Sequence, residues 1–554
     1  MKKIKRLFAH NSVRIALAIA VAITTTAATY KDTLFEISKN IEIFTDVYRT
    51  LQDSYVDEPE PGFLMKKAID AMLASLDPYT VYYPESRIEE ATFMQTGQYG
   101  GIGINTKRRD NKILITEVYA GFGADKAGLE IGDWITHIEG KDISTLSDDE
   151  SGNMIKGQPG TSVKLTIVKG ASQQVVEVDV KRESIKNKDV PFYGMIPETK
   201  TGYIKLDGFT QTASGEVREA LTNLKKQGAE QMILDLRGNG GGLLREAVSI
   251  VNLFVPKGSP IVETRGRIAE WKNQYIAQAD PVDVNIPLAV LIDGSSASAS
   301  EIVSGSLQDL DRAVILGEES FGKGLVQQTV DLAYNTKMKL TVAKYYTPSG
   351  RCVQRLDYSH RDHTSGKVNA VDEKTLQTFR TSKGRTVTDG RGIQPDVTVD
   401  AEKNDEWLKE LVVQFMVFDF ITTYKPKFSS IDTMGHFSLE EKDFSAFQDF
   451  LNKGHFVPHT EQWKKWEDFK KSVDTKSEAF IAHSAELEKI LEPNNAKKCS
   501  ENKSLLMGML ENELVRRTKN ERAFSRQSIQ KDPVVKEAQN IFQSNQYKKI
   551  LLIP

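Results

Sequence analysis

The chain has 554 residues, which is too long for one compact domain and enough for three or four. Apolar residues make up 39% and charged residues 27%, a globular composition that excludes collagen-like, mucin-like and wholly disordered chains. The net charge of −3 gives no reason to expect nucleic acid as a partner. The two cysteines, Cys352 and Cys499, exclude a disulfide-rich scaffold and cannot alone form a Cys-type zinc site.

The amino terminus carries a basic stretch followed by an uncharged run over residues 15–30. The length of that run is intermediate between a signal-peptide core, which has about 7–15 residues, and a membrane-spanning helix, which has about 17–25. We predict that residues 1–30 are a signal peptide or a membrane anchor and that the rest of the chain is exported. The sequence leaves open whether this segment is cleaved.

A helical region is predicted over residues 31–97. Apolar residues recur at helical spacing over 34–51, Pro59 and Pro61 interrupt the pattern, and a second helical stretch covers 63–76. We expect a helical hairpin, which either packs on the core or forms a dimer surface.

The middle of the chain alternates strands with helices. The sequence predicts strands over 112–118, 162–168, 231–236, 287–292 and 313–316, and helices over 243–253 and 301–310. From residue 202 onward this order indicates an α/β core. Residues 355–385 are polar and predict a loop. Residues 401–554 are helical in pattern and highly charged, with their charges on a solvated face.

A glycine-rich segment, Tyr99-Gly-Gly-Ile-Gly-Ile104, is followed by Ala127-Gly-Leu-Glu-Ile-Gly-Asp-Trp-Ile135. Backbone amides can converge at such a segment and hold a carboxylate, although a hairpin turn explains the glycines equally well. Together the two runs resemble a PDZ domain over residues 98–183. The resemblance implies that Gly101, Ile102, Gly103 and Ile104 face the C-terminal carboxylate and last apolar side chain of a bound peptide.

A serine and a lysine are the candidate catalytic pair. The serine cluster at 295–300 lies between a predicted strand and a helix, where free amides favour an oxyanion, although a serine here can also be a simple helix cap. Lys323 lies between two glycines, and burial without a carboxylate partner would leave its amine able to act as a base.

Other uses of these segments fit the sequence less well. No histidine occurs between His137 and His360, so a Ser-His-Asp triad would need an imidazole from outside the core. Gly324 stands where a phosphate-binding loop needs Ser or Thr. Ser320 and Lys323 match the Ser-x-x-Lys pattern, which leaves Ser320 as a second candidate nucleophile.

Several motifs, taken in order, resemble the carboxyl-terminal processing peptidases, the tail-specific serine proteases with a PDZ domain. They are Leu76-Asp-Pro-Tyr79, Asp235-Leu-Arg-Gly-Asn-Gly-Gly-Gly242, Ser296-Ala-Ser-Ala-Ser-Glu-Ile302, Leu307-Gln-Asp309, Phe321-Gly-Lys-Gly324 with Gln327, and Gly392-Ile-Gln-Pro-Asp396.

The resemblance implies a role for each matching residue. Ser298 is the nucleophile and Lys323 its base, while Gln327, four residues further on the same strand, orients the lysine amine. The amides of Gly242 and Ala299 form the oxyanion hole. Asp309 has a supporting role. No metal and no organic cofactor are implied.

We therefore predict a multidomain α/β protein. An α/β protease core with crotonase-like layers covers 184–400, an inserted PDZ-like β domain covers 98–183, and helical regions lie on either side. The expected function is endoproteolysis by a Ser-Lys dyad. The expected substrates are exported proteins recognised by an exposed apolar C-terminus. The expected location is the periplasm, with membrane contact through the N-terminal segment. The alternative is a non-catalytic PDZ scaffold that binds protein C-termini. The sequence is compatible with binding of an adaptor protein and with a homo-oligomer.

Overall fold

The computed structural model describes residues 34–88, 92, 96–362, 365–399, 406–424, 439–454, 456–473, 477–491, 494–517 and 528–553. The chain divides into two compact units between Tyr82 and Tyr83. The predicted signal peptide or anchor at 1–30 lies outside the described residues. Within the described ranges, no helix combines the length and the apolar character needed to cross a bilayer.

From residue 34 onward, where the structure describes it, the first unit contains two helices, as the sequence predicts. Helix α1 covers 34–54 and α2 covers Pro61–Ala74, with Pro61 in the first turn, where its missing N–H costs no hydrogen bond. A short strand, β1 (Val81–Tyr83), includes the point at which the chain divides. The apolar side chains that define one face of α1 are largely exposed: Leu34, Ile37, Ile41, Phe44, Val47 and Leu51.

The second unit begins with the PDZ-like segment. Its strands and helices are β2 (Gln98–Gly101), β3 (Ile104–Arg109), β4 (Lys112–Val118), α3 (Gly123–Lys126), β5 (Trp134–Ile138), β6 (Lys141–Asp142), α4 (Asp148–Ile155), β7 (Ser162–Val168), β8 (Val175–Lys181) and β9 (Glu183–Lys186). The main sheet has the order β3-β4-β5-β7-β8, and β2 pairs separately with β9. The strands predicted at 112–118 and 162–168 are confirmed.

The α/β core is built on a mostly parallel sheet. Its first elements are β10 (Phe192–Met195), β11 (Thr201–Lys205), α5 (Ala213–Lys226), β12 (Gln231–Asp235), α6 (Leu244–Asn252), β13 (Pro260–Gly266) and β14 (Asn273–Ile276). They are followed by β15 (Leu288–Ile292), α7 (Ala299–Asp309), β16 (Val314–Gly317), β17 (Leu325–Asp331), β18 (Lys337–Tyr346), β19 (Thr378–Arg380), β20 (Thr386–Thr388) and β21 (Val397–Thr398). The predicted strands and helices of this region are confirmed.

Two sheets organise these elements. The first has the order β10-β11-β12-β15-β16-β21 and is parallel from β11 to β21. The second is antiparallel, with β18 between β17 and β13 and with β14 on the far side of β13. The polar stretch at 355–385 is mainly loop, but it also contributes β19, which pairs with β20.

The parallel sheet buries both of its faces. Side chains alternate along each strand, so Ile204, Leu234 and Val290 pack with α5, α6 and α7 on one face. Their neighbours Tyr203, Ile233 and Leu291 point to the opposite face. The sheet therefore needs a second covering layer.

The C-terminal region supplies that layer. Its helices are α8 (Glu406–Val413), α9 (Met416–Thr423), α10 (Glu441–Lys453), α11 (Glu461–Ser472), α12 (Glu478–Leu491), α13 (Asn495–Glu501), α14 (Lys503–Arg517), α15 (Pro533–Gln543) and α16 (Gln546–Ile550). Val535, Ala538 and Ile541 of α15 pack on the second face of the sheet. The region is helical as predicted, but its last helices are part of the α/β core, because the sheet would otherwise expose one apolar face.

Candidate active site

Ser298 lies in the turn between β15 and α7, directly before the first residue of the helix. Its φ of +54° is in the left-handed region. A residue with a side chain adopts such a φ at a cost of about 1–3 kcal/mol, and keeps it only where the surrounding structure fixes it. The Ser298 amide donates to Oε2 of Glu301 at 2.8 Å, and the Ala297 amide donates to the carbonyl of Asn239 at 3.1 Å. These bonds hold the turn in its strained conformation.

The glycine-rich loop after β12 packs directly against this turn. A Cβ on Gly241 would lie 2.7 Å from the Ala297 oxygen and 3.0 Å from Cβ of Ser298, so only glycine fits. The Gly241 amide donates to the Asn239 side chain at 2.9 Å. Gly242 lies opposite Phe209 in a parallel bridge, and the Leu243 amide donates to the Phe209 carbonyl at 2.8 Å.

Lys323 lies in the loop that precedes β17. The prediction that Lys323 and Gln327 share one strand is wrong, because β17 begins at Leu325 and the glycines on either side of Lys323 belong to the loop. The side chain of Lys323 is half-buried. The Lys323 amide donates to Oε2 of Glu301 at 2.9 Å, so this oxygen binds the backbone of both members of the candidate pair.

Glu301 is the central acceptor of the site. It is fully buried, and its other oxygen, Oε1, accepts from the Ser320 hydroxyl at 2.6 Å and from the Gly322 amide at 2.7 Å. Burial raises the pKa of the Glu301 carboxyl, and the four donors oppose that shift. Glu301 belongs to the serine motif of the sequence, but the motif alone predicts no role for it. A glutamate three residues after a serine at a helix start is a capping-box signal that could have indicated one.

Gln327 lies on β17, at a register shift between Val326 and Gln327 in the pairing with β18. Its side-chain amide donates to Oγ1 of Thr341 at 3.3 Å. Its predicted role, to orient the amine of Lys323, stays a prediction.

A large cavity of about 2250 Å³ joins most of the predicted site residues. Ser298, Lys323, Gln327 and Gly242 all line it, and Ala299 is buried at the start of α7 behind Ser298. Among the described residues that line the cavity there is no histidine. The cavity can hold an extended peptide against the serine, with lysine and backbone amides nearby.

Three parts of the chain form the cavity wall. The PDZ-like segment contributes Tyr119 and Phe122, and the C-terminal helical region contributes Arg517 and Ile529. The candidate active site is therefore enclosed by elements from well outside the α/β core.

The four predicted peptide-binding residues of the PDZ-like segment do not line this cavity, although the nearby Asn105 and Tyr119 do. Gly101 ends β2 and Ile104 begins β3, while the carbonyl of Gly103 accepts from the Tyr119 amide at 2.9 Å. The Ile102 side chain is buried in the core of the segment. Only the backbone of Ile102 is therefore left to contact a ligand, and the peptide-binding role of the four residues stays a prediction.

Ser320, the second candidate nucleophile, is fully buried. Its hydroxyl donates to Glu301 and accepts from the Ile393 amide at 2.6 Å. A hydroxyl held in this way has no open face toward a substrate, so the geometry favours Ser298.

Asp309, at the end of α7, forms a fully buried ion pair with Arg351 at 2.9 Å and accepts from the Ser349 amide at 3.0 Å. Its contacts fix the segment after β18 to α7 and agree with a structural role.

Known protein families match three parts of this chain. Residues 200–358 match Peptidase family S41, residues 91–168 match the PDZ domain, and residues 407–542 match the C-terminal helical domain of probable PDZ-proteases. The chain is 36% identical over 320 residues to a carboxy-terminal-processing protease of Bartonella bacilliformis, which covers 57% of this chain and 73% of that protein. It is 31% identical over 369 residues to a probable CtpA-like serine protease of Staphylococcus aureus, covering 66% of each.

A solved structure of a photosystem II D1 C-terminal processing protease is 25% identical and covers 65% of this chain and 93% of that one, with a TM-score of 0.37. The sequence relatives define the class, a serine peptidase that carries a PDZ domain. The chain belongs to peptidase family S41, the carboxy-terminal processing proteases. The catalytic interpretation is favoured over a non-catalytic PDZ scaffold.

Proposed function

We propose that this protein is a Ser-Lys dyad endopeptidase that cleaves exported proteins selected by an apolar C-terminal tail. The observation that carries the proposal is the shared carboxylate of Glu301, which binds the amides of both Ser298 and Lys323 at the wall of one cavity. A serine and a lysine fixed to the same atom keep a constant separation of their backbones. Their side chains can then work together.

In the proposed reaction, the hydroxyl oxygen of Ser298 attacks a peptide carbonyl carbon while the uncharged amine of Lys323 takes the hydroxyl proton. The carbonyl oxygen becomes an oxyanion, which accepts hydrogen bonds from the amides of Ala299 and Gly242. The leaving amine takes the proton from Lys323, and an ester on Ser298 remains. Water, activated by the same lysine, then hydrolyses the ester and restores the enzyme.

The assignment of Gly242 to the oxyanion hole has local support. The Gly241 amide is already bound to the Asn239 side chain, and Gly242 lines the cavity beside Ser298. Backbone amides that are fixed before the substrate arrives need no reorganisation during the reaction, which is why such donors contribute about 10²–10³ in rate.

Tail recognition is proposed for the PDZ-like segment. A C-terminal carboxylate would bind the backbone of Gly101, Ile102, Gly103 and Ile104, and the peptide would add along the open edge of β3. Binding there would raise the concentration of the substrate at the nearby cavity. We also propose that the protein acts in the periplasm after export through residues 1–30, which mass spectrometry of the mature N-terminus can test.

The experiment is cleavage of an unfolded protein with an apolar C-terminus by the full chain. We expect cleavage to be lost in Ser298→Ala and in Lys323→Ala and kept in Ser295→Ala, an exposed serine in the same turn. Cleavage by Ser298→Ala at the rate of the unchanged protein would overturn the proposal.

A further inference from the structure

The C-terminal helical region reaches the catalytic cavity at several points, one of which lies just before α15. Ser528 and Ile529 line the catalytic cavity, and α15 begins directly after Asp532. Oδ1 of Asp532 caps this helix by accepting from the amides of Val534 at 2.8 Å and Val535 at 3.0 Å. The cap uses only one of the two carboxylate oxygens.

The second oxygen of Asp532 has a different partner. Oδ2 lies 2.9 Å from the guanidinium of Arg237, in the loop that follows β12. Arg237 also binds Asp235 through Nη2 at 2.6 Å and Nε at 3.0 Å, and Asp235 accepts from the Tyr203 hydroxyl at 2.6 Å. A guanidinium with two carboxylates at fixed positions has a defined orientation.

The charges in this cluster are mostly removed from water. Asp235 is 1% exposed, while Arg237 and Asp532 are about one-fifth exposed. Burial alone would lower the pKa of Arg237, but the hydrogen bonds and charges of the two carboxylates raise it. The hydrogen bonds and charge of Arg237 in turn hold the pKa of the Asp235 carboxyl below its ordinary value.

Arg237 belongs to the loop that carries the proposed oxyanion donor. The next residue, Gly238, donates its amide to Asp293 at 3.0 Å, and Asn239 contacts both the Gly241 amide and the Ala297 amide. A shift of Arg237 is thus transmitted through few bonds to Gly242 on one side and to the Ser298 turn on the other.

We propose that Asp532 is a positioning residue for catalysis, which orients the glycine loop through Arg237 and makes the C-terminal helical region a part of the active site. This inference rests on the proposed function of Ser298 and Gly242. Without the second carboxylate, the guanidinium is held from one side only and the loop can adopt other conformations. A displacement of a reacting group by about 1 Å can cost about 100-fold in rate.

The alternative is that Asp532 serves only as a helix cap. Asparagine caps helices about as well as aspartate, so Asp532→Asn keeps the cap at Oδ1 but presents an NH₂ group to Arg237. This variant separates the two roles of the residue. Asp532→Ala removes both.

The test measures kcat and KM with an internally quenched apolar peptide, together with the melting temperature. For Asp532→Asn we expect kcat to fall at least 10-fold, with KM within twofold and the melting temperature within about 2 °C of the unchanged protein. Asp532→Glu should recover part of kcat. Glu461→Gln, which removes an exposed charge of α11 in the same region, is the matched control and should change nothing.

Two results would overturn the inference. One is an unchanged kcat in Asp532→Asn, and the other is a fall in kcat that only accompanies a lower melting temperature. Ser298→Ala, measured in parallel, identifies the source of a failure. If it is inactive, only the role of Asp532 is wrong; if it is active, the proposed function itself is wrong.

Discussion

At the scale of single residues, Glu301 has the largest effect on the geometry of the site. Its two oxygens accept hydrogen bonds from four donors. These are the amide of Ser298, the hydroxyl of Ser320, and the amides of Gly322 and Lys323. A carboxylate can accept at all of these positions at once, whereas an amide side chain can accept at one atom only.

Replacement of Glu301 by glutamine tests this arrangement. The new NH₂ group must face either the Ser298 and Lys323 amides or the Ser320 and Gly322 donors, and either choice leaves buried donors without an acceptor. We expect the free energy of unfolding to fall by about 2–3 kcal/mol and cleavage to fall below 1%. Chemical unfolding and a peptide assay measure the two effects. The exposed neighbour Glu318→Gln is the control, and a Glu301→Gln variant as active as that control would contradict the role of Glu301.

Arg237 allows a prediction about pH. Burial alone would raise the pKa of the Asp235 carboxyl, but the hydrogen bonds and charge of Arg237 lower it below its ordinary value. A carboxyl with a lowered pKa in the folded state stabilises the fold above the unfolded pKa of about 3.9 and loses that contribution as the pH falls through the folded value.

In Arg237→Gln, the buried Asp235 keeps its desolvation penalty and loses its main partner, so its pKa should rise instead. Protonation then relieves the penalty as the pH falls. We expect the loss of melting temperature in Arg237→Gln to be largest at pH 8 and to shrink toward pH 4.5. A difference from the unchanged protein that is constant over this range would contradict the assignment.

At the scale of helices and strands, the sequence predicts what depends on local pattern. The strands Lys112–Val118 and Ser162–Val168 were predicted with the observed bounds, because alternation and flanking turns are local properties. The resemblance of the motifs predicts that Ser298 and Lys323 act as a pair, and both residues line one cavity in the structure. Periodicity alone would not have paired them.

Features that depend on distant partners were not predicted. The role of α15 was missed because its sequence has an ordinary amphipathic pattern. Such a pattern predicts an apolar face but does not identify the sheet on which that face packs. Asp532 was missed for a related reason, because its partner Arg237 is distant in sequence and no spacing rule connects the two. Glu301 has a local signal in its spacing from Ser298, but its contacts with Ser320, Gly322 and Lys323 do not follow from any local pattern.

A substitution in α15 tests its place in the core. Ile541 is fully buried against the parallel sheet, so Ile541→Ala should lower the free energy of unfolding by about 2–4 kcal/mol. Ile481→Ala, in the exposed part of α12, should change it by less than about 0.5 kcal/mol. Equal effects of the two substitutions, measured by urea unfolding, would mean that α15 is not a layer of the core.

At the scale of the whole second unit, the C-terminal helical region connects the PDZ-like segment to the protease core. Arg109 of β3 pairs with Asp419 of α9 at 2.7 Å, and Arg517 of α14 donates to carbonyls of Ile131 and Phe418. The same region packs α15 on the parallel sheet. The position of the PDZ-like segment beside the cavity therefore depends on these helices.

Loss of this contact should loosen the PDZ-like segment without unfolding the core. In Asp419→Asn, Arg109 loses the charged partner that it has on α9. We therefore expect faster amide hydrogen exchange in β3 and α9, with unchanged exchange in β12 and β15. Asp468→Asn, an exposed site on α11, is the control. Unchanged exchange at β3 would show that the ion pair does not fix the segment.

The central claim is that Ser298, activated by Lys323, forms the acyl-enzyme. The most direct measurement is labelling of the full chain with a fluorophosphonate probe, followed by peptide mass spectrometry. The account predicts a single adduct on Ser298, unaffected by Ser295→Ala, abolished by Ser298→Ala and slowed at least 100-fold by Lys323→Ala. An adduct on another serine, or labelling that is equally fast without the lysine amine, would contradict it.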